Sequence, residues 1–105
     1  MGTRYVVVGN QNIAIMLTTR IIVINTGAGQ IIRAASGATQ MVAFNASPLN
    51  LSWGDSSVLS DSGNVLYPSA SWIFENIGDS FGVYWRALSN ATVTSGALVL
   101  NEFSN

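Results

Sequence analysis

The sequence predicts an all-β fold, a small antiparallel β-sandwich of jelly-roll-like type with an apolar N-terminal strand or arm. Three observations predict it. Turn-forming residues recur every several positions, among them Gly9-Asn10, Asn25-Thr26-Gly27, Ser36-Gly37, Ser47-Pro48, Gly54-Asp55, Asp61-Ser62-Gly63-Asn64, Pro68-Ser69, Asn76-Ile77-Gly78-Asp79, Ser89-Asn90 and Ser95-Gly96. Short β-rich runs lie between them, the spacing expected of a sandwich or barrel. No segment reads as a helix.

The runs predict strands over 4–8, 12–17, 20–25, 30–34, 39–46, 49–53, 57–60, 64–67, 71–76, 81–87, 91–94 and 97–103. Several alternate with period two, which marks a strand with one buried face. Leu49, Leu51 and Trp53 share a face against Asn50 and Ser52. Trp72 and Phe74 oppose Ile73 and Glu75, and Phe81, Val83 and Trp85 oppose Tyr84 and Arg86. The start of the chain differs. Tyr5-Val6-Val7-Val8, Ile13 to Leu17 and Ile21 to Ile24 are apolar on both faces. Such a strand needs cover on both sides, whereas a sandwich covers one side of each sheet. A neighbouring subunit would supply the second layer, unless one of these runs is a central strand or bends across two sheets. The 105 residues make one domain, with 1–28 as an assembly arm or extra strands.

Composition narrows the function. Hydrophobic residues are 49% of the chain and charged residues only 9%, against about 25% charged in an ordinary soluble domain. The surface is therefore covered by Ser, Thr and Asn, buried against partners, or both. Net charge is −1, with four arginines and no lysine. Scattered arginines make no basic patch for nucleic acid or an anionic membrane. With no cysteine and no histidine, disulfides, thiolate chemistry, zinc clusters built on Cys and the commonest general base are absent. No cofactor or metal is expected. The N-terminus has no signal-peptide order, and Val6 stands where a myristoylation pattern needs Ser or Thr. The apolar stretch Ile13–Ile24, broken by Thr18-Thr19-Arg20, is too short for a membrane helix.

Each candidate motif has a simpler explanation. Gly27-Ala28-Gly29 begins like a dinucleotide fingerprint, but Ile32 occupies the third glycine position and a strand follows; a glycine-rich hairpin explains it. Asp55, Asp61 and Asn64 lie in oxygen-rich turns whose spacing fits no calcium loop, and such residues favour turns anyway. Two carboxylates across a cleft would suit glycoside hydrolysis, yet a domain this small has little room for a cleft. Without His, Cys or Lys there is no nucleophile–base–orienter set, so no enzyme is expected. Trp53, Trp72 and Trp85 could form a sugar-stacking platform, although their alternation with polar residues favours the core. Three glycosylation sequons, at Asn45, Asn50 and Asn90, read as accidents of an Asn- and Ser-rich chain. Two groups are candidate protein-interface residues. Tyr5, Val6, Val7 and Val8 could add a strand to a partner's sheet. Tyr84, Trp85 and Arg86 are the residue types that dominate interface hot spots.

From Gly29 to Phe103, about three-quarters of the chain, successive elements form a pattern. These are Ile31-Ile32-Arg33-Ala34-Ala35, Phe44-Asn45-Ala46-Ser47, Leu51-Ser52-Trp53-Gly54-Asp55, Leu66-Tyr67-Pro68-Ser69-Ala70-Ser71, Val83-Tyr84-Trp85-Arg86-Ala87 and Leu98-Val99-Leu100-Asn101-Glu102-Phe103. The pattern resembles small β-sandwich structural proteins of tailed-phage particles. One departure is Ser69, where glycine usually follows the proline. The resemblance implies a head decoration (cement) protein that bridges neighbouring coat subunits, or a tail or fibre module that binds a receptor or carbohydrate. It implies the major capsid protein or other virion subunits as partners, homo-oligomeric contacts, and a place on the capsid surface after production in the host cytoplasm.

Overall fold

The computed structural model describes the backbone of residues 4–8 and 12–14, and in full residues 15–27, 29–55, 64–78, 80–88 and 93–104. Nine strands form two antiparallel sheets: β1 (Arg4–Val8), β2 (Asn12–Asn25), β3 (Gln30–Arg33), β4 (Gln40–Asn45), β5 (Leu51–Gly54), β6 (Asn64–Leu66), β7 (Ser71–Glu75), β8 (Gly82–Ala87) and β9 (Ser95–Ser104). The large sheet runs β1-β2-β9-β4-β7 and the small sheet β3-β8-β5-β6. Without β1, the eight strands β2 to β9 divide into 2-9-4-7 and 3-8-5-6, which is the jelly-roll arrangement of two interlocked Greek keys. The fold class is as the sequence predicts. β1 extends the large sheet at its edge by pairing with β2, Arg4 opposite Met16 and Val8 opposite Asn12.

Three boundaries differ from the sequence reading. The runs 12–17 and 20–25 are one strand, since Thr18-Thr19-Arg20 continues the ladder with β9. The apparent break is a β-bulge: Met16 pairs with Phe103 and Thr18 with Glu102, leaving Leu17 as the extra residue. Ser95-Gly96 opens β9 instead of turning. A Cβ at Gly96 would lie 2.7 Å from the Ser47 hydroxyl, so glycine is there for a close approach between elements. Finally, residues 26–29 are not a hairpin, because β2 and β3 belong to different sheets. The Gln30 side chain supports this crossing, donating to the Val23 carbonyl and accepting from the Asn25 amide. The expected strand 57–60 lies outside the described residues, and residues 93 and 94 precede β9.

Alternation sets the core. Leu98, Leu100 and Glu102 of β9 point inward, as do Ile24 of β2, Met41 and Ala43 of β4, Phe74 of β7, and Leu51, Val83 and Trp85 from the small sheet. Four polar side chains are buried among the described residues, Asn45, Ser47, Ser52 and Glu102, and two of these tie separate elements together. Asn45 donates through Nδ2 to the carbonyls of Leu49 and Leu66, and its Oδ1 accepts from the Ser47 amide and hydroxyl. One amide thereby ties β4 to the 46–50 connection and to β6. Glu102 accepts from Arg20 Nε at 2.7 Å and from the Ala35 amide, while Arg20 Nη2 donates to the Arg33 carbonyl at 2.8 Å. This pair joins β2, β9 and the β3–β4 connection.

Two predictions follow from these features. Ser69 holds φ at +66° in a turn closed by the Ala70 amide on the Tyr67 carbonyl, a type II geometry that favours glycine. Ser69→Gly should raise stability by about 0.5–1 kcal/mol, net of the entropy glycine adds to the unfolded chain. A urea midpoint that is unchanged or lower would show that the turn is unstrained. Arg20→Met leaves the fully buried Glu102 carboxylate without its cation and should cost about 3–5 kcal/mol at neutral pH. Glu102→Gln, which keeps the shape and loses the charge, should cost about 1–3 kcal/mol. Equal losses in the two urea titrations would show that charge pairing is not what the site contributes.

Candidate interaction face

The two sheets turn different outer faces away from the core. In the large sheet the pairing aligns Ile21, Val99, Phe44 and Ser71 in one row across β2, β9, β4 and β7. The next row is Thr19, Asn101, Val42 and Ile73, and beyond Ile21 lies Val23 opposite Ala97. Ile21 is 74% exposed, Val23 58% and Ile73 52%, with Phe44 and Leu17 also exposed. Thr19 and Asn101 satisfy one another across the strands, the hydroxyl donating to Asn101 Oδ1 at 2.7 Å. Among the outward residues of this sheet whose side chains are described, the only charge is Glu75, on the edge strand β7; Arg4 of β1 stands in the same row by pairing, opposite Met16.

The bulge at Leu17 sets which residues of the apolar run of β2 face which way. It shifts the facing of the strand by one residue, so that Arg20, Ile22 and Ile24 face the core beside Glu102, Leu98 and Leu100. Ile21 and Val23 then face outward. Apolar residues on both faces thus reflect two different surfaces, a packed core and an uncovered sheet. A solvated sheet face ordinarily carries polar residues at these positions, and contiguous exposed apolar patches mark interaction sites.

The small sheet is polar where the large one is apolar. Its outer face carries Arg33, Tyr84 and Arg86, with Ile31 beside Tyr84 and the buried Ser52 opposite Arg86. Arg86 donates through Nε to the Thr26 carbonyl.

The seven candidate interface residues do not form one site. Tyr84 and Arg86 lie half-buried on the outer face of β8. Trp85 points the other way and is 1% exposed. It is a core residue, and its reading as an interface anchor is corrected. Tyr5, Val6, Val7 and Val8 belong to β1 in the other sheet, paired with β2 of their own chain; their side chains lie outside the described residues. The three tryptophans are likewise no shared platform. They form a graded series from Trp85 in the core through Trp53 to Trp72, with ring centroids 6.2 and 5.7 Å apart, and Phe74 packs edge-on against Trp53. Only Trp72, 50% exposed, offers a ring to solvent, with Tyr67 also exposed nearby in sequence. Of the apolar face, the sequence marks Ile21 and Val23 but misses Val99, Phe44, Val42 and Ile73. Their only signal is the apolar half of each alternating pair, which becomes a surface once the strands are in register.

No family model matches the chain, and no curated protein does. Among solved structures, it is similar to hydroxypropylphosphonic acid epoxidase from S. wedmorenis, with a TM-score of 0.51 and 15% identity over 87% of this chain and 50% of that one. A structure of Fe(II)-HppE with the alternative substrate (S)-1-HPP aligns with a TM-score of 0.50 and 14% identity over 96% of this chain and 56% of that one. The chain spans about half the length of these proteins. At such identities the likeness is one of fold. The iron named for the second protein has no matching donor set here: the chain has no His or Cys, and among the described residues no three of His, Cys, Asp and Glu converge.

The exposure series makes a spectroscopic prediction. In variants that keep a single tryptophan, the others replaced by Phe, iodide should quench Trp72 strongly and leave Trp85 almost untouched. Equal quenching of the two would contradict the inward facing of Trp85.

Proposed function

We propose that this chain is a non-enzymatic structural subunit of a virus particle, a decoration or cement protein that bridges neighbouring coat subunits and assembles through the outer face of its large sheet. The observation that carries this reading is the apolar face itself, exposed at Ile21, Val23 and Ile73 and almost without charge. Such a surface gains by burial, at roughly 25 cal/mol per Å² of apolar area before the costs of association. The jelly roll is an architecture of capsid and lectin domains as well as of cupins. The described residues offer packing surface in place of a nucleophile with its base. The resemblance from Gly29 to Phe103 supports the virion as the setting.

Particles purified from the source of the chain should carry it. Ile21→Glu, a change at a site 74% exposed and so tolerated by the fold, should leave the domain folded but remove it from particles. Absence of the wild-type chain from particles would overturn the reading.

A second reading, a receptor- or carbohydrate-binding module of a tail or fibre, is favoured by Trp72. Its half-exposed ring at the edge strand β7 could stack on a sugar. Saturable change in Trp72 fluorescence with a glycan, lost in Trp72→Ala, would establish it; a flat titration across a glycan panel would remove it.

A further inference from the structure

The apolar face needs an occupant, and we infer that it is a second copy of this chain, packed face to face about a two-fold axis. This rests on reading that face as an interaction surface and goes further by naming what covers it. Three observations support a copy of the chain over an unlike partner.

The first is self-complementarity. A two-fold contact places one surface against itself, so it cannot rely on opposite charges set in different places. The rows Ile21–Val99–Phe44 and Thr19–Asn101–Val42–Ile73 carry no charge, and the one acidic group of the face, Glu75, sits at the rim on β7. Nothing on the described face repels its own image.

The second is area. The exposed parts of Leu17, Ile21, Val23, Phe44 and Ile73 amount to roughly 500 Å², at the upper end for a monomer's largest apolar patch. Two copies together would bury about 1,000 Å² from these side chains, which reaches the threshold of a specific interface. The half-buried Met16, Val42, Val99 and Phe103 add to that. β9 is the middle strand of the large sheet, so Val99 lies near the centre of the patch and the apolar positions flank it on both sides. Sheets packed in this way keep their strands within about 30° of one another at a spacing of about 10 Å.

The third is overall charge. At −1 net, with charged residues only 9% of the chain, two copies meet with little mutual repulsion. The arginines of the small sheet's outer face, Arg33 and Arg86, are left on the outside of such a dimer.

Light scattering and sedimentation on the full chain from about 1 to about 100 µM test the inference, a range that spans the micromolar affinities such areas can give. The expected result is a mass twice the 11.1 kDa of the chain. Ile21→Glu should weaken association about 100-fold by setting like charges in a desolvated contact. Arg33→Glu, on the opposite outer face, should leave it unchanged. Val23→Lys provides a second disruption should Ile21→Glu lose its β-sheet circular dichroism. A wild-type monomer throughout the range overturns the inference, as does a dimer that survives both Ile21→Glu and Val23→Lys, or a trimer or larger ring. If the wild-type chain is monomeric yet Ile21→Glu still loses its place on particles, the face binds an unlike subunit: the dimer fails and the structural role stands.

Discussion

Glu102 has no exposed surface, and its carboxylate is held by the Arg20 guanidinium and the Ala35 amide. This contact decides the facing of β2. A slip of one residue along β9 would turn every side chain of the strand to the other face. Arg20 would then leave Glu102 uncompensated in the interior, while Ile21 would enter the core. The bulge at Leu17 and the ion pair act together. The first shifts the strand's facing, and the second makes the shifted register the one without an unpaired buried charge. The same pair reaches the β3–β4 connection through Ala35 and Arg33, so it also fastens the two sheets where the chain crosses between them. A buried ion pair adds little net stability over an apolar core, and setting register is its best-attested use.

From that register follows the division of labour between the faces. The interior is filled by Trp85, Phe74, Met41 and the aliphatic residues of β9, and the Asn45 amide closes the far end against Leu49 and Leu66. The likeness to an epoxidase concerns this scaffold alone. Where Fe(II)-HppE carries iron, this chain has neither the imidazoles nor the thiolates that commonly bind it. What distinguishes this jelly roll is outside it. One outer face carries arginines and a tyrosine, the other rows of Ile, Val and Phe.

Much of the fold was legible in the sequence. β5, β7 and β8 are short, alternate with period two and are bounded by turn residues, and each appears near its expected place with Trp85, Val83, Leu51 and Phe74 inside. The errors have physical causes. An inserted residue breaks periodicity, so β2 read as two strands. Glycine signals a turn, and at Gly96 it serves a close contact with Ser47 instead. Period two gives a facing but no neighbour, so the assignment of strands to sheets could not be read. For the same reason only part of the interaction face was visible. Ile21 and Val23 are adjacent in an apolar run, whereas Val99, Phe44 and Ile73 come from three distant segments that meet through pairing. Period two sets Trp85 on the opposite face from Tyr84 and Arg86 but does not say which face is the core, so Trp85 remained a candidate anchor until the strands were assigned to sheets.

The pairing of β2 with β9 has a further consequence in time. The two strands form the middle of the large sheet but lie at opposite ends of the described chain, residues 15–25 against 95–104. During synthesis, at about 5–20 residues per second, β2 is complete roughly 4–14 s before β9 begins to be made. Residues 12–16 can pair in that interval with β1, which is made earlier and can close a hairpin within microseconds, whereas the core-facing Ile22 and Ile24 lie beyond that pairing and wait for β9. The first strand is additional to the eight-stranded jelly roll and covers only the start of this nascent apolar edge. The later half of β2 is thus the apolar segment that waits longest for its partner while the chain is being made.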